Sequence, residues 1–246
     1  MSILKQLVIV PRLLDVFFPC LCAGCGTPVE ASRLFCAECE ADLAMVTAPF
    51  CQICGCPFTS PQGDEHICGE CLQQPPFFKA ARSVFIYKEP IKRAIIQFKF
   101  LGCTALAELF AKVIITNLDG FIKQIAPDIV IPVPLHLSRL RERGYNQCLL
   151  LAKRIARILG IPCKKRTLQK VKPTMSQVGL SLSQRRFNVK GSFTVVDPDA
   201  VQGRRILLID DVFTTGSTVN ECAKVLVKAG ADGVWVITLA RTNNVI

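Results

Sequence analysis

Long apolar runs are missing from this sequence. No stretch of 18 or more apolar residues occurs in its 246 positions, so no membrane-spanning helix is expected. Acidic residues are scarce: 19 Asp and Glu stand against 30 Lys and Arg, for a formal net charge of +11. That balance points to a polyanionic partner, whether nucleic acid, a phosphorylated small molecule or an anionic membrane surface. An export signal is not expected either. Residues 1–19 read MSILKQLVIVPRLLDVFFP, where Pro11, Arg12 and Asp15 interrupt the apolar run and no small-x-small cleavage site follows. The helical spacing of Leu13, Leu14, Phe17 and Phe18 predicts instead a short amphipathic helix packed on the next domain. The expected compartment is the reducing cytoplasm, where clustered cysteines are metal ligands more often than disulfides.

What is present begins with apolar material, 50% of the residues, enough for a real core and against wholesale disorder. Fourteen cysteines are unevenly spread: ten lie between positions 20 and 71, while Cys103, Cys148, Cys163 and Cys222 are scattered. The composition shift places a domain boundary near Gln73-Gln74-Pro75-Pro76. Within the block stand four C-x-x-C pairs, Cys22/Cys25, Cys36/Cys39, Cys51/Cys54 and Cys68/Cys71. Such a turn sets two thiolates on one side of a tight loop, at tetrahedral spacing for Zn²⁺. Gly26 and Gly55 follow the first and third pairs, where a positive φ lets backbone N–H groups turn toward the sulfurs. The order CxxCG then CxxC therefore occurs twice, an internal repeat. It favours two self-contained sites, Cys22, Cys25, Cys36, Cys39 and Cys51, Cys54, Cys68, Cys71; interleaved cross-brace pairing is the alternative. Four thiolates leave no open coordination position, so both sites are expected to be structural. Cys20, Cys56 and His66 are spare.

From about residue 80 strands and helices alternate, with strands expected at 83–87, 128–133, 205–209 and 233–239 and helices at 104–118, 145–159 and 217–229. Alternation of this kind makes a mostly parallel α/β sheet, with ligands outside the C-terminal strand ends. One such end is dense in chemistry. Ile206-Leu207-Leu208-Ile209 runs into Asp210-Asp211, then Val212-Phe213, then Thr214-Thr215-Gly216-Ser217-Thr218 and a helix. Two adjacent carboxylates beyond a buried strand are costly unless a ligand or cation uses them. The hydroxyl-rich turn offers N–H groups at a helix N-terminus, where phosphate binds well. The positive charge is also local: residues 137–190 carry 14 Lys and Arg and one acid, Glu142. Lys153, Arg154 and Arg157 fall on one side of a helix and are read either as its solvated face or as a track for a single strand's phosphates.

The segment 206–218 resembles the signature of type I phosphoribosyltransferases, which bind 5-phosphoribosyl 1-pyrophosphate (PRPP): four apolar residues, two acids and a TTGST-like loop. The resemblance implies that Asp210 and Asp211 take the ribose hydroxyls and Thr214, Thr215, Gly216, Ser217 and Thr218 the 5′-phosphate, with Mg²⁺ accompanying PRPP. Pro132-Val133-Pro134-Leu135 stands where that family places its pyrophosphate loop. Residues 170–188 look like its lid, with Gln177, Arg186 and Asn188 as counterparts of an amidotransferase pattern. The order LLDVFFP, cysteine knuckles, PVPL, the R-x-x-x-R-G-Y-N-Q run (Arg139, Arg143, Gly144, Tyr145, Asn146, Gln147), lid and loop resembles the competence protein F family over nearly the whole chain. The resemblance implies a role in the uptake or use of transforming DNA, with single-stranded DNA or a helicase-type protein as partner.

The expected organisation is a helix at 1–19, a double zinc ribbon at 20–74 and a type I phosphoribosyltransferase-like α/β domain, a parallel sheet flanked by helices, at 80–246. A catalyst of this class would displace pyrophosphate from PRPP as a glycosyltransferase, with a closing lid excluding water. The sequence offers no clear base for the acceptor, His136 being a lone histidine near the PVPL run. With no cysteine after Met1, a glutamine-hydrolysing domain is not expected. The rival reading is a non-enzymatic, PRPP- or nucleotide-responsive adaptor.

Overall fold

The structure, a computed structural model, describes residues 20–30, 32–58, 64–173 and 188–242. The expected helix at 1–19 lies outside the described residues, as do Gln177 and Arg186 of the expected lid.

Two small cysteine units come first. In the first, β1 (Cys20–Leu21) pairs antiparallel with β2 (Pro28–Val29), and α1 (Ala37–Ala41) follows Cys36, whose sulfur caps it by accepting from Cys39 N–H. In the second, Phe50 bridges Pro57 across the knuckle, and α2 (Gly69–Gln73) follows Cys68.

The remainder is built on β3 (Ala80–Ile86), β4 (Ile129–Pro132), β7 (Arg205–Phe213) and β8 (Gly233–Arg241), all parallel in the order β3-β8-β7-β4. Ile206–Ile209 can be wholly apolar because both faces of β7 are covered, as a parallel sheet requires. Side chains alternate along it. Leu207 and Ile209 join Ile95 and Phe98 of α3 (Ile91–Phe100), Phe110 of α4 (Leu106–Ile125) and Leu151 and Ile155 of α6 (Gln147–Leu159). Ile206 and Leu208 join Val219, Cys222 and Leu226 of α7 (Ser217–Lys228) on the other face. A short α5 (Leu137–Arg143) precedes α6, and an antiparallel hairpin, β5 (Leu168–Lys170) with β6 (Phe193–Val195), lies on the α7 side.

One expectation is corrected here. The sequence puts Asp210 and Asp211 beyond the end of their strand, yet β7 runs through them to Phe213. Its ladder with β4 stops at Ile209↔Pro132, but β8 continues the pairing from Asp210↔Thr238 to Phe213↔Arg241. The acids therefore sit within a rigid strand that keeps β8 as its neighbour after β4 has ended. The helix expected at 104–118 continues to Ile125 across a non-helical Leu118. Helices α3 and α5 and the β5–β6 hairpin were not anticipated.

Candidate functional site

Both cysteine quartets assemble in chain order. The sulfurs of Cys22, Cys25, Cys36 and Cys39 all lie within 4.8 Å of one another, as do those of Cys51, Cys54, Cys68 and Cys71, which excludes cross-brace pairing. Gly26 and Gly55 have φ of 85° and 70°, a left-handed turn that L side chains adopt at a cost. The repeat extends to hydrogen bonds: Cys36 N–H donates to Cys22 Sγ at 3.2 Å and Cys68 N–H to Cys51 Sγ at 3.3 Å. Four sulfurs this close cannot all ionise unaided. Hydrogen bonds from Cys54 and Cys71 hold the Cys51 thiol far below its ordinary range, and those same contacts push Cys71 far above it. A divalent cation that lets all four ionise fits this donor set, and Zn²⁺ prefers it. Cys20 is exposed, Cys56 is buried beside the second quartet, and His66 stacks on Phe58 with centroids 3.9 Å apart.

The acid pair is embedded in partners from two helices. Asp211 is 5% exposed. Lys99 of α3 sets Nζ 2.7 Å from its Oδ1, and Gln147 Nε2 donates to its Oδ2 at 2.6 Å. Asp210 Oδ1 accepts from the Asp211 N–H at 2.9 Å and from Cys148 Sγ at 3.2 Å. Burial, with the Asp211 charge added, raises the Asp210 pKa to about 6 against the pull of Lys99. Burial opposes the Lys99 charge, but the Asp211 carboxylate outweighs it and raises the lysine pKa. Burial, then the two acids, push the Cys148 thiol well up, so it stays a neutral donor.

The Arg-Gly-Tyr-Asn-Gln run builds this arrangement. Gly144 closes α5 in a left-handed conformation, and Asn146 caps α6 by accepting from Cys148 and Leu149 N–H. Asn146 also donates to Val133 O at 3.1 Å, tying α6 to the end of β4. The next two residues, Gln147 and Cys148, are thereby aimed at the acids.

After Phe213 the chain turns at Gly216 into α7. Gly216 has φ 72°, and a Cβ there would lie 2.6 Å from Phe213 Cζ, so both conformation and space demand glycine. Gly216 has no side chain to cap α7, and the Ser217 N–H donates instead to Thr215 Oγ1 at 3.4 Å. Thr215 Oγ1 and Ser217 Oγ are hydrogen-bonded at 2.7 Å, and Thr242 fastens the loop by donating to Phe213 O and Thr214 O. The loop faces a cleft of about 330 Å³ whose other wall is the second cysteine unit, through Cys54, Cys56 and Cys71.

Other expected residues sit less centrally. In Pro132-Val133-Pro134-Leu135 the prolines have no N–H and Val133 N–H is bound to Ile209 O, so Leu135 alone retains one outside the sheet. Arg139 pairs with Glu142 at 2.9 Å, and the Arg143 guanidinium lies 4.5 Å over the Phe100 ring. His136 caps α5 through Nδ1. Of the cations on α6, Arg154 pairs with Glu108 at 3.3 Å, while Lys153 and Arg157 are exposed. Sequence reasoning missed Lys99, Cys148 and Arg241. Lys99 did carry a signal, since it stands four residues after buried Ile95 and next to buried Phe98.

A model of the double zinc ribbon domain matches residues 13–74. Competence protein F of Haemophilus influenzae is 34% identical over 230 residues, covering 92% of this chain and 98% of that one. The DNA utilization protein YhgH of Salmonella typhimurium is 34% identical, covering 91% and 98%. Competence protein ComFC of Bacillus subtilis is 28% identical, covering 84% of each. Among solved structures, an adenine phosphoribosyltransferase of Giardia lamblia aligns at TM-score 0.38 and 18% identity, over 68% of this chain and 78% of that one.

Proposed function

The chain belongs to the family of competence protein F and its DNA-utilization relatives, and from that premise we propose that it binds PRPP and acts in the uptake or use of transforming DNA in the cytoplasm. Asp210 and Asp211 accept hydrogen bonds from the ribose 2′- and 3′-hydroxyls, Thr214–Thr218 hold the 5′-phosphate, and Mg²⁺ enters with the diphosphate. Leu135, Arg139 and Arg143, with Gln177 and Arg186 of the lid sequence, are assigned to that diphosphate. The exposed Lys153 and Arg157 contribute to a track for single-stranded DNA, and the zinc ribbons are structural. The observation that supports this reading is the acid pair on β7, Asp211 buried and Asp210 half-buried, held by Lys99, Gln147 and Cys148 a few residues before the N-terminus of α7. An acid pair this costly to bury is explained by a ligand rich in hydroxyls.

Titration calorimetry with PRPP and Mg²⁺ tests it. The double variant Asp210→Asn, Asp211→Asn should keep its zinc and lose two charge-assisted hydrogen bonds, each about 1.5–3 kcal/mol, which weakens binding by about two to four decades. If the acids serve only the fold, the variant binds the anion as well as wild type or better, and the reading is lost.

Whether the ligand turns over is a separate question, and one feature favours the adaptor. The chain has two histidines, and each is held in a local contact, His66 against Phe58 and His136 at the start of α5. Neither is aimed as a general base. On this second reading PRPP binding signals to a DNA-processing partner and the diphosphate stays attached; pyrophosphate release with any acceptor would reject it.

A further inference from the structure

Arg241, the last residue of β8, is 2% exposed and lines the cleft between the second ribbon and the 214–218 loop. A guanidinium withdrawn from water to that degree needs compensation. Among the described residues, Glu221 of the same cleft is engaged elsewhere, accepting from Gly191 N–H at 2.8 Å. The guanidinium makes one hydrogen bond, Nη1 to Cys54 O at 2.7 Å, lies 5.2 Å over the Phe213 ring, and leaves Nε buried without a partner.

An independent feature puts more positive potential on the same cleft. Helix α7, 12 residues long, opens onto it at Gly216, which has no side chain, with the Ser217 N–H donating to Thr215 Oγ1 at 3.4 Å. Its N-terminus carries roughly half a positive charge. Lys190 and Lys224 line the cleft as well. The buried charge and the helix terminus both favour a compact dianion with several acceptor oxygens, beyond the net negative charge that four thiolates on the second zinc set beside Arg241.

We propose that Arg241 is a direct ligand of the phosphate group held by the 214–218 loop. The phosphate subsite is then shared: the α/β domain supplies the loop and the guanidinium, and the second ribbon fixes that guanidinium through the Cys54 carbonyl. The ligand class is a phosphate monoester dianion; that its owner is PRPP rests on the function proposed above. A consequence follows for the metal. Cys54 is itself a ligand of the second zinc, so emptying that site loosens the carbonyl that orients Arg241, whereas the first ribbon has no such connection.

Calorimetric titration with inorganic phosphate, and separately with PRPP and Mg²⁺, tests this. Arg241→Gln, with both zincs retained, should weaken both ligands about ten- to hundredfold, and Arg241→Lys should recover part of the loss. Because a buried arginine also supports the fold, a second measurement uses wild-type protein. The Arg241 Nε–H resonance, identified by its absence from the Arg241→Lys spectrum, should shift on adding inorganic phosphate and saturate with the calorimetric dissociation constant. A folded Arg241→Gln protein that binds phosphate like wild type, or an Nε–H resonance unmoved at saturating phosphate, overturns the proposal. Phosphate binding through Arg241 without PRPP binding would leave it standing and sink the PRPP reading. PRPP binding that leaves Arg241 unmoved would do the reverse, and a wild-type protein binding neither would overturn both.

Discussion

The two ribbons share a repeat, a glycine turn and the same N–H to sulfur bond, yet they are set in different surroundings. The first docks on α3, where Arg93 donates to Gly24 O at 2.8 Å and Gln97 to Ala23 O at 3.0 Å, and its Cys25 is exposed. The second docks on the sheet beside the loop, with Ala81 N–H donating to Ile53 O at 2.7 Å, and its Cys51, Cys68 and Cys71 are buried. One metal-binding unit thus serves as a peg on a helix and, in its second copy, as a wall of the cleft beside the 214–218 loop. The repeat dictates the coordination, and the docking surface dictates what the coordination is for.

The largest test of that difference removes one zinc at a time. Cys22→Ser and Cys51→Ser should each lower the zinc content from two per chain to one, since the quartets are separate. Structural zinc sites carry apparent binding free energies on the order of 10 kcal/mol, so each ribbon should lose its own fold. Only Cys51→Ser should also weaken PRPP, by about tenfold or more if one charged contact is lost. Equal weakening by both variants would mean that the two ribbons are functionally alike.

Glycine substitutions sharpen the contrast at a smaller scale. At Gly26 a Cβ would have nothing within 4 Å, while at Gly55 it would lie 2.5 Å from Ala81 O. Gly26→Ala should cost only its left-handed backbone, about 1–2 kcal/mol. Gly55→Ala adds a clash with sheet backbone, about 1–3 kcal/mol more. Denaturant unfolding should rank them in that order, and the reverse ranking would mean that the second ribbon is not seated on β3.

The acid pair belongs to neither ribbon, so its titration should be unaffected by Cys22→Ser and Cys51→Ser alike. Asp210 has its pKa raised from 3.8 to about 6. Well below 3.8 it is protonated folded or unfolded, and stability owed to the neutral form is lost as pH rises from there through about 6. Above that, Asp210→Asn should be more stable than wild type by up to about 3 kcal/mol. PRPP affinity should move the opposite way, rising with pH through 6 in wild type beyond any rise seen in Asp210→Asn. Opposite signs for stability and affinity are what a ligand-directed buried acid requires. A wild type that gains stability across pH 4–6 relative to the variant would remove the basis for the raised pKa.

Legibility in the sequence followed the range of the interactions. The quartets were readable because spacing along the chain is what makes a zinc knuckle, and only the choice between sequential and cross-brace pairing waited for three dimensions. The loop was readable because a helix start and its glycine are local. The strand end was misjudged because two acids read locally as a stop, while the deciding ladder with β8 comes from residues 238–241. Lys99 and Arg241 were hidden for a related reason. A basic residue on a helix or at a strand end reads as solvated, and its burial is set by partners far away in sequence: Asp211 for Lys99, Cys54 and Phe213 for Arg241.

The smallest expected effect tests the comparison from the first ribbon's side. Arg93 is exposed on α3, and its bond to Gly24 O joins that of Gln97 to Ala23 O in holding that knuckle. Arg93→Ala removes one neutral acceptor's partner near the surface, where water can take its place. The loss should be that of a single hydrogen bond, about 0.5–1.5 kcal/mol, read as a small fall in the denaturation midpoint with two zincs retained. PRPP affinity should not change, because neither Arg93 nor Gly24 lines the cleft. Arg241 also binds a knuckle carbonyl, yet its substitution is expected to weaken phosphate at least tenfold. Two arginines that each hold a knuckle carbonyl would then differ in burial and in whether they also reach the phosphate. A tenfold loss of PRPP affinity in Arg93→Ala would show instead that either ribbon, once loosened, disturbs the site through the body of the sheet, and the second ribbon would have no special claim on the phosphate.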